Sequence, residues 1–195
     1  MKRLQVLLLS ATEGLPVAQA IKDALDSSYS CTLWSDDEVF SLSATAIEAL
    51  EHATDCYDTV VVVATADDVV TLRNVAMRQI RDNLIFELGL FAGSLGRENV
   101  YLVLDAAAWE GTHIPSDLGG VTFATFDSTT ISGDPASVTS AVRGAVRRIR
   151  TNIKASAGFA AAGVKRISII GATSDDPAVS SAIEKFMVSG PVPIS

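Results

Sequence analysis

Five short apolar runs alternate along the chain with segments of helical periodicity, and this alternation restricts the fold more than any other feature. The runs are Leu4–Ser10, Cys31–Trp34, Thr59–Ala64, Asn99–Leu104 and Val121–Phe126. Each has strand length, and Thr59–Ala64 (TVVVVA) is rich in β-branched residues, as expected of a central strand buried on both faces. We therefore predict an α/β fold with an open, doubly wound parallel sheet. It should be flavodoxin-like, with five main strands in the order 2-1-3-4-5 and flanking helices.

Two of the predicted helices have clear amphipathic patterns. In the helix predicted over Ala44–Ala53, we expect Ile47 and Leu50 to point inward and Ser43 to act as the cap. A longer helix is predicted over Pro135–Lys154. Its apolar stripe consists of Val142, Val146, Ile149 and Ile153. We interpret its basic stripe as a solvated face rather than a phosphate or membrane patch; the residues are Arg143, Arg147, Arg150 and Lys154.

The composition limits the classes of function. The apolar fraction of 48% is ample for a folded core, and the net charge of −8 argues against a general nucleic-acid binder. His52 and His113 are isolated in the sequence and Cys31 and Cys56 are too few for a disulfide framework, so we predict no metal site and a reducing compartment. We read the apolar start as a strand and not a signal peptide. No apolar run is long enough to span a bilayer. We expect a cytoplasmic protein that binds neither nucleic acid nor membrane.

The chain of 195 residues is predicted to contain one main domain and a short appendage. The main domain is assigned to residues 1–154. Residues 155–164 have the Ala/Gly-rich composition of a linker. Within residues 165–195 we predict a strand at Lys165–Gly171 and a helix at Pro177–Val188, which form a short βα appendage or the start of a truncated second domain.

A single acid, Glu87, lies within the apolar segment Arg81–Val100 (RDNLIFELGLFAGSLGRENV). The segment predicts a helix capped by Asp82 and buried on most sides. The interior glycines Gly89, Gly93 and Gly96 suggest that another backbone or a ligand comes close. Burying a carboxylate that has no ion-pair or hydrogen-bond partner costs on the order of several kcal/mol of folding free energy. Glu87 therefore either pairs with an arginine, for which Arg78, Arg81 and Arg97 are available, or lines a cleft.

The predicted strand order places a ligand cleft at the carboxyl ends of the first and third strands. The loops after Ser10 and after Ala64 should meet there, with the start of the Glu87 helix nearby and the loop after Trp34 as a wall. The segment VTLRNVAMRQI, which follows the Ala64 loop, predicts either a long loop or a short helix.

The motif RDN-IFELGLF-G-LGREN closely resembles the signature of the TIR-like domain of bacterial predicted nucleotide-binding proteins. That family includes effectors of the CBASS and Pycsar antiphage systems, which answer cyclic-nucleotide signals. The resemblance covers about the first 150 residues, a span typical of one domain. It departs from the family at Ala11, where a polar residue is usual, and at the acidic residues Asp36, Asp37 and Glu38, where the family often has glycine.

The resemblance implies that the main domain is a TIR-like nucleotide-binding domain that cleaves the nicotinamide–ribose bond of NAD, with NAD as substrate and no cofactor. Glu87 matches the glutamate of the family motif and is the candidate catalytic residue. Substrate-binding roles are expected for Ser10, Thr12, Glu13, Gly14, Trp34 and Asn83. For Trp34, Ser10 and Asn83, a purely structural role is an equal alternative.

Three functions remain open from the sequence. The first is an NAD glycohydrolase effector of antiphage defence, gated by self-association or by a cyclic-nucleotide sensor domain or partner. The second is a non-catalytic nucleotide-binding signalling module. The third is a nucleoside deoxyribosyltransferase-like enzyme, whose chemistry uses one glutamate on a similar sheet and passes through a covalent adduct. The loops Asp36–Phe40 and Asp105–Gly120 are predicted to complete the cleft upon association.

Overall fold

The computed structural model describes residues 3–36, 46–65, 68–72, 75–108, 112–113 and 122–161. The chain divides into two compact units, Met1–Ile153 and Lys154–Ser195. In the second unit, the described residues are 154–161, which form the end of a helix. The strand and helix predicted beyond residue 164 lie outside the described residues, and the division into domain, linker and appendage stays a prediction.

Eight strands and four α-helices occur in the described part of the chain. The strands are β1 (Gln5–Ser10), β2 (Ser30–Leu33), β3 (Thr59–Ala64), β4 (Asp68–Leu72), β5 (Val75–Gln79), β6 (Val100–Asp105), β7 (Thr112–His113) and β8 (Thr122–Phe126). The helices are α1 (Leu15–Leu25), α2 (Ala46–Cys56), α3 (Asp82–Leu95) and α4 (Pro135–Ala161).

The main sheet confirms the predicted α/β architecture. Its five strands are all parallel and lie in the order β2-β1-β3-β6-β8, which is the predicted 2-1-3-4-5 order. The central strand β3 is buried along its whole length because it lies between β1 and β6 and is covered on both faces. The uncharged sequence TVVVVA fits this position, where no residue reaches water.

Helices cover both faces of the sheet, so the fold is doubly wound. Successive side chains of a strand point to opposite faces. Val6 and Leu8 accordingly belong to a core that also contains the apolar residues of α1 and α4, whereas Leu7 and Leu9 belong to a second core with those of α2 and α3. In α4, the predicted stripe of Val142, Val146, Ile149 and Ile153 is buried in the first of these cores.

Helix α3 differs from the prediction of a helix buried on most sides. Leu84, Leu88 and Phe91 are buried, but Phe86 is 54% exposed, because the helix packs on the sheet along one side only. A Cβ atom at Gly89 or Gly93 would meet no described atom within 4 Å, so no described backbone comes close to either glycine, and the approach of a ligand stays a prediction.

The predicted cap of α3 is wrong, and a glycine follows the helix at its carboxyl end. The helix begins at Asp82 with Arg81 at the cap position, and the Asp82 carboxylate instead accepts a hydrogen bond from Gln79 Nε2. Gly96 follows the helix at a φ of +84°, a backbone conformation that favours glycine, and thus allows the chain to turn toward β6.

Helices α2 and α4 have different bounds from the predicted ones. Helix α2 buries Ala49, Leu50 and Ala53, so the inward direction is confirmed for Leu50 and wrong for Ile47, which is 55% exposed. The predicted cap Ser43 lies outside the described residues. Helix α4 continues to Ala161 rather than ending at Lys154. Within the described residues, no helix combines the length and the apolar character needed to cross a membrane.

A small second sheet occupies the segment for which a loop or a short helix was predicted. Strands β4 and β5 form an antiparallel hairpin, and β5 pairs in parallel with β7. The hairpin follows the carboxyl end of β3 and leads directly into α3. It therefore adjoins the edge of the main sheet at which the cleft was predicted.

Candidate active site

The carboxyl ends of β1 and β3 form the point at which the strand order reverses. Ser10, the last residue of β1, lies opposite Val63 of β3. The chain leaves β1 toward β2 on one side, whereas the chain leaving β3 continues toward β6 on the other. A crevice between two diverging connections is the usual ligand site of such sheets.

Three of the predicted site residues, Ser10, Trp34 and Gly14, lie together at this point. The indole Nε1–H of Trp34 donates a hydrogen bond of 3.1 Å to Ser10 Oγ, and Ser10 is only 6% exposed. A Cβ atom on Gly14 would lie 3.2 Å from Ser10 Cβ, so glycine permits the turn after β1 to pack closely on the strand. Because Trp34 also packs against the core beneath α2 and α3, it has a structural role whatever else it contacts.

The loop after β1 forms a short 3-10 turn over Thr12–Gly14, which enters α1 through Leu15. Gly14 N–H donates to Ala11 O at 3.0 Å, and Leu15 N–H donates to Thr12 O. Of the predicted phosphate donors at Thr12, Glu13 and Gly14, the Gly14 N–H is thus already engaged, and an anion there would compete with this bond.

The Glu13 side chain makes an ion pair across the cleft instead of facing an empty crevice. Its carboxylate lies 3.1 Å from the Arg81 guanidinium, which also lies 3.7 Å from Asp68 at the start of β4. The backbone hydrogen bond at Glu13, followed by Arg81, holds the pKa of this carboxyl below its ordinary value. The pair joins the loop after β1 to the start of α3 and to the hairpin. Nothing in the local sequence indicated it, since 68 residues separate the two partners.

Glu87 lies in the second turn of α3, about 8 Å along the helix axis from Asp82 at 1.5 Å per residue. Its side chain is half-buried, and its helical neighbours Leu84 and Phe91 are buried and apolar. Burial away from water raises the pKa of Glu87 to about 7. No described residue forms a hydrogen bond or an ion pair with this carboxylate. Of the two possibilities left by the sequence, an arginine partner is therefore absent among the described residues, and the position in a cleft stays a prediction.

Asn83 is the predicted site residue nearest to Glu87 in the helix. It precedes Glu87 by one turn, on the same side of α3, and is exposed. The candidate residues thus fall into two groups: Ser10, Trp34 and Gly14 at the strand ends, and Asn83 and Glu87 on α3. The Glu13–Arg81 ion pair links the loop of the first group to the helix of the second.

Metal ligation is not a feature of the described site. Among the described residues, no group of three or more His, Cys, Asp or Glu side chains is placed to hold a metal ion. His52 Nδ1 lies 3.1 Å from Cys56 Sγ, but this exposed pair belongs to α2, away from the strand ends described above.

The comparisons with known proteins agree on one family. The sequence profile described as "CAP12/Pycsar effector protein, TIR domain" matches residues 5–128, more than half of the chain. CD-NTase-associated protein 12 of Flavobacterium daejeonense is 35% identical over 125 residues, which are 64% of this chain and 39% of that protein. The Pycsar effector protein PaPycTIR of Pseudomonas aeruginosa is 39% identical over 118 residues, 60% of this chain and 37% of that protein.

The match therefore spans less than half the length of these relatives. It includes β1, the loop after it, Trp34, the hairpin and all of α3, so every candidate residue lies inside the matched segment. The chain belongs to the TIR-domain family of CAP12 and Pycsar effector proteins.

Proposed function

We propose that this domain cleaves the bond between nicotinamide and ribose in NAD, with Glu87 as the catalytic residue. The observation that carries the proposal is the half-buried Glu87 carboxylate, which has no partner among the described residues. Such a group is costly to the fold, and a ligand that becomes positively charged during reaction offers a reason to keep it.

The chemistry of NAD cleavage suits a site with one carboxylate. When the bond between ribose C1′ and the ring nitrogen breaks, its electron pair passes to the positively charged nicotinamide ring, which leaves as a neutral base. No acid is needed to protonate it. The ribose becomes oxocarbenium-like, as in glycoside hydrolysis, and water then adds to C1′ and loses a proton. A fixed carboxylate beside the ribose stabilises this positive charge, and it does so most strongly where water is excluded.

The remaining candidate residues are proposed to hold the substrate. Asn83, which is exposed and one turn before Glu87, would bond a ribose hydroxyl near the reacting bond. Trp34 offers an aromatic surface for a base or for the nicotinamide ring. Ser10 and the Thr12–Gly14 turn would contact the phosphates, with the competition from internal hydrogen bonds described above.

We further propose that the domain acts as an effector in antiphage defence and that its activity is gated. Two relatives are named CD-NTase-associated protein 12 and Pycsar effector protein PaPycTIR. In this chain, a cyclic-nucleotide signal would act through a sensor domain or partner, and self-association would assemble the active form. Gating is expected on physiological grounds, because an unregulated NAD hydrolase would deplete the NAD of its own cell.

The test is to incubate the protein with NAD and to measure free nicotinamide by chromatography, in dilute solution and under crowding. Wild type should release nicotinamide, and Glu87→Gln should lose at least about a hundredfold in rate, the scale of one preorganised electrostatic contact. Glu98→Gln is the matched control, since Glu98 lies in the turn before β6 at the opposite edge of the sheet.

Two results would contradict the proposal. Binding of NAD without release of nicotinamide under any of these conditions would favour a non-catalytic signalling module. A covalent sugar adduct on Glu87, detected by mass spectrometry with a deoxyribonucleoside as substrate, would favour the deoxyribosyltransferase-like enzyme.

A further inference from the structure

One guanidinium, that of Arg81, is shared by two carboxylates from different parts of the chain. Arg81 occupies the cap position of α3, and its Nη2 donates to the Glu13 carboxylate at 3.1 Å. Its Nε lies 3.7 Å from the carboxylate of Asp68, at the start of the hairpin. The three side chains therefore form a small cluster in which the acids outnumber the base.

The Glu13–Arg81 pair is open to water on both sides. The Arg81 side chain is 36% exposed and the Glu13 side chain is 49% exposed. An ion pair between solvent-exposed groups contributes little to stability, because each charge is well hydrated when the pair separates. Glu13 can therefore turn out into water at small cost, and the guanidinium is then available to another anion.

A phosphate group is a better partner for this guanidinium than the single carboxylate oxygen of Glu13. The planar fork of arginine donates two parallel hydrogen bonds to two phosphate oxygens, and such charge-assisted bonds are among the strongest in proteins. Because Asp68 contacts Nε and Glu13 contacts the terminal Nη2, Glu13 can leave while Asp68 keeps the side chain oriented.

The cluster lies between the two groups of candidate residues. Arg81 precedes Glu87 by six residues, which is about 9 Å along the helix axis at 1.5 Å per residue. In NAD, one sugar ring separates the bond to be broken from the pyrophosphate. A substrate with its ribose at Glu87 and its phosphates toward the turn after β1 would therefore pass the Glu13–Arg81 pair. Its negative pyrophosphate needs a cation there, because Glu13, Asp68 and Glu87 are all acids.

We propose that Arg81 binds the pyrophosphate of NAD and that Glu13 occupies its guanidinium until the substrate replaces it. Glu13 is then a competitor of the substrate and not one of its ligands. The inference rests on the proposed function, since it names the residue that holds the substrate of that reaction. Its tests measure binding and not cleavage, so the two proposals can fail separately.

Isothermal titration of the full chain with two ligands tests the role of Arg81. NAD carries the pyrophosphate, whereas nicotinamide riboside has the same reacting bond and no phosphate. All proteins carry Glu87→Gln, so that NAD is not consumed during the titration. Adding Arg81→Gln should weaken NAD binding by about tenfold or more, the scale of a lost hydrogen bond to a charged group. It should leave the affinity for nicotinamide riboside unchanged.

Two more variants separate the geometry of Arg81 from its charge. Arg81→Lys should bind NAD with intermediate affinity, because an ammonium keeps the charge but lacks the planar fork. Arg147→Gln is the matched control, since Arg147 is exposed on α4, which packs on the other face of the sheet. It removes the same charge and should leave the affinity for NAD at the wild-type value.

Glu13→Gln should have the opposite effect to Arg81→Gln. An uncharged side chain competes less for the guanidinium, so NAD should bind up to about fivefold more tightly, the scale of one exposed ion pair. The melting temperatures of the unliganded Arg81→Gln and Glu13→Gln proteins should change little, because the pair is exposed.

Four outcomes would overturn the inference. The first is a chain that binds no NAD, and the second is an Arg81→Gln protein that binds NAD as tightly as the protein that retains Arg81. In the third, Arg81→Gln weakens the binding of NAD and of nicotinamide riboside equally, so that Arg81 shapes the cleft without contacting the pyrophosphate. In the fourth, Glu13→Gln weakens NAD binding, which would make Glu13 a ligand of the substrate.

Discussion

Replacing Glu87 by Gln should make the protein more stable at alkaline pH and leave it nearly unchanged in acid. The substitution keeps the volume and hydrogen-bonding capacity of the side chain but removes its charge. Burial raises the pKa of Glu87 from its ordinary 4.5 to about 7. A pKa difference of this size between the folded and unfolded states corresponds to about 3 kcal/mol of unfolding free energy. Because the side chain is only half-buried, solvent screening reduces the expected effect to about 1–2 kcal/mol.

The direction of the pH dependence follows from which state holds the proton more tightly. Between pH 4.5 and about 7, the native state keeps Glu87 protonated while the unfolded chain releases the proton. This contribution to the stability of the wild type is complete below about pH 4.5 and is lost as the pH rises through about 7. The Gln variant has no such loss, so its advantage should appear over this range and stay constant above it.

Urea unfolding of wild type, Glu87→Gln and the control Glu98→Gln at pH 4.5 and pH 8 measures the effect. The expected result is a gain of about 1–2 kcal/mol for Glu87→Gln at pH 8 and little difference at pH 4.5. A variant that is several kcal/mol less stable at pH 8 would show a buried charge left without its partner, and the cleft interpretation of Glu87 would then be wrong.

Three further substitutions test the surroundings of the site. Trp34→Phe should lower stability by about 1–3 kcal/mol, because it leaves the buried Ser10 hydroxyl without its donor; equal stability by thermal unfolding would contradict that hydrogen bond. Gly14→Val should cost about 1–3 kcal/mol in the same assay, because its side chain would crowd Ser10, and a neutral effect would mean that the turn can move freely. Arg81→Gln should raise the pKa of Glu13 toward its ordinary value, measured by NMR titration; an unchanged midpoint would leave the backbone hydrogen bond as the whole cause.

The main sheet was predictable because its strands are short, apolar and separated by helical patterns, and these local signals agree with the fold. The hairpin β4–β5 was not predictable in the same way. Its strands contain charged and polar residues such as Asp68 and Arg78, and the intervening pair Arg73-Asn74 is not one of the glycine-containing dipeptides that mark tight hairpins. Its strands pair with each other and with β7, which no local pattern reveals.

Helices α3 and α2 are less buried than their apolar composition and spacing predicted. The apolar character of α3 indicates contact with the core but not how far round the helix that contact extends, so Phe86 was expected inside and is exposed. The spacing of Ile47 and Leu50 fits one helix face, yet the buried face is that of Ala49, Leu50 and Ala53. The position of Glu87 within an apolar segment was visible in the sequence. Its lack of an arginine partner among the described residues depends on long-range contacts that periodicity does not contain.

The pH dependence of kcat/KM for nicotinamide release tests the central claim most directly, because this ratio reports the ionisation of the free enzyme. If ionised Glu87 stabilises the developing charge on the ribose, the wild-type value should rise as the pH increases through about 7 and then level off. Glu87→Gln should be slower by about a hundredfold or more at every pH, with no such rise. A wild-type profile without a rise near pH 7, or a Glu87→Gln protein that cleaves NAD at the wild-type rate, would contradict the assignment of Glu87 as the catalytic carboxylate.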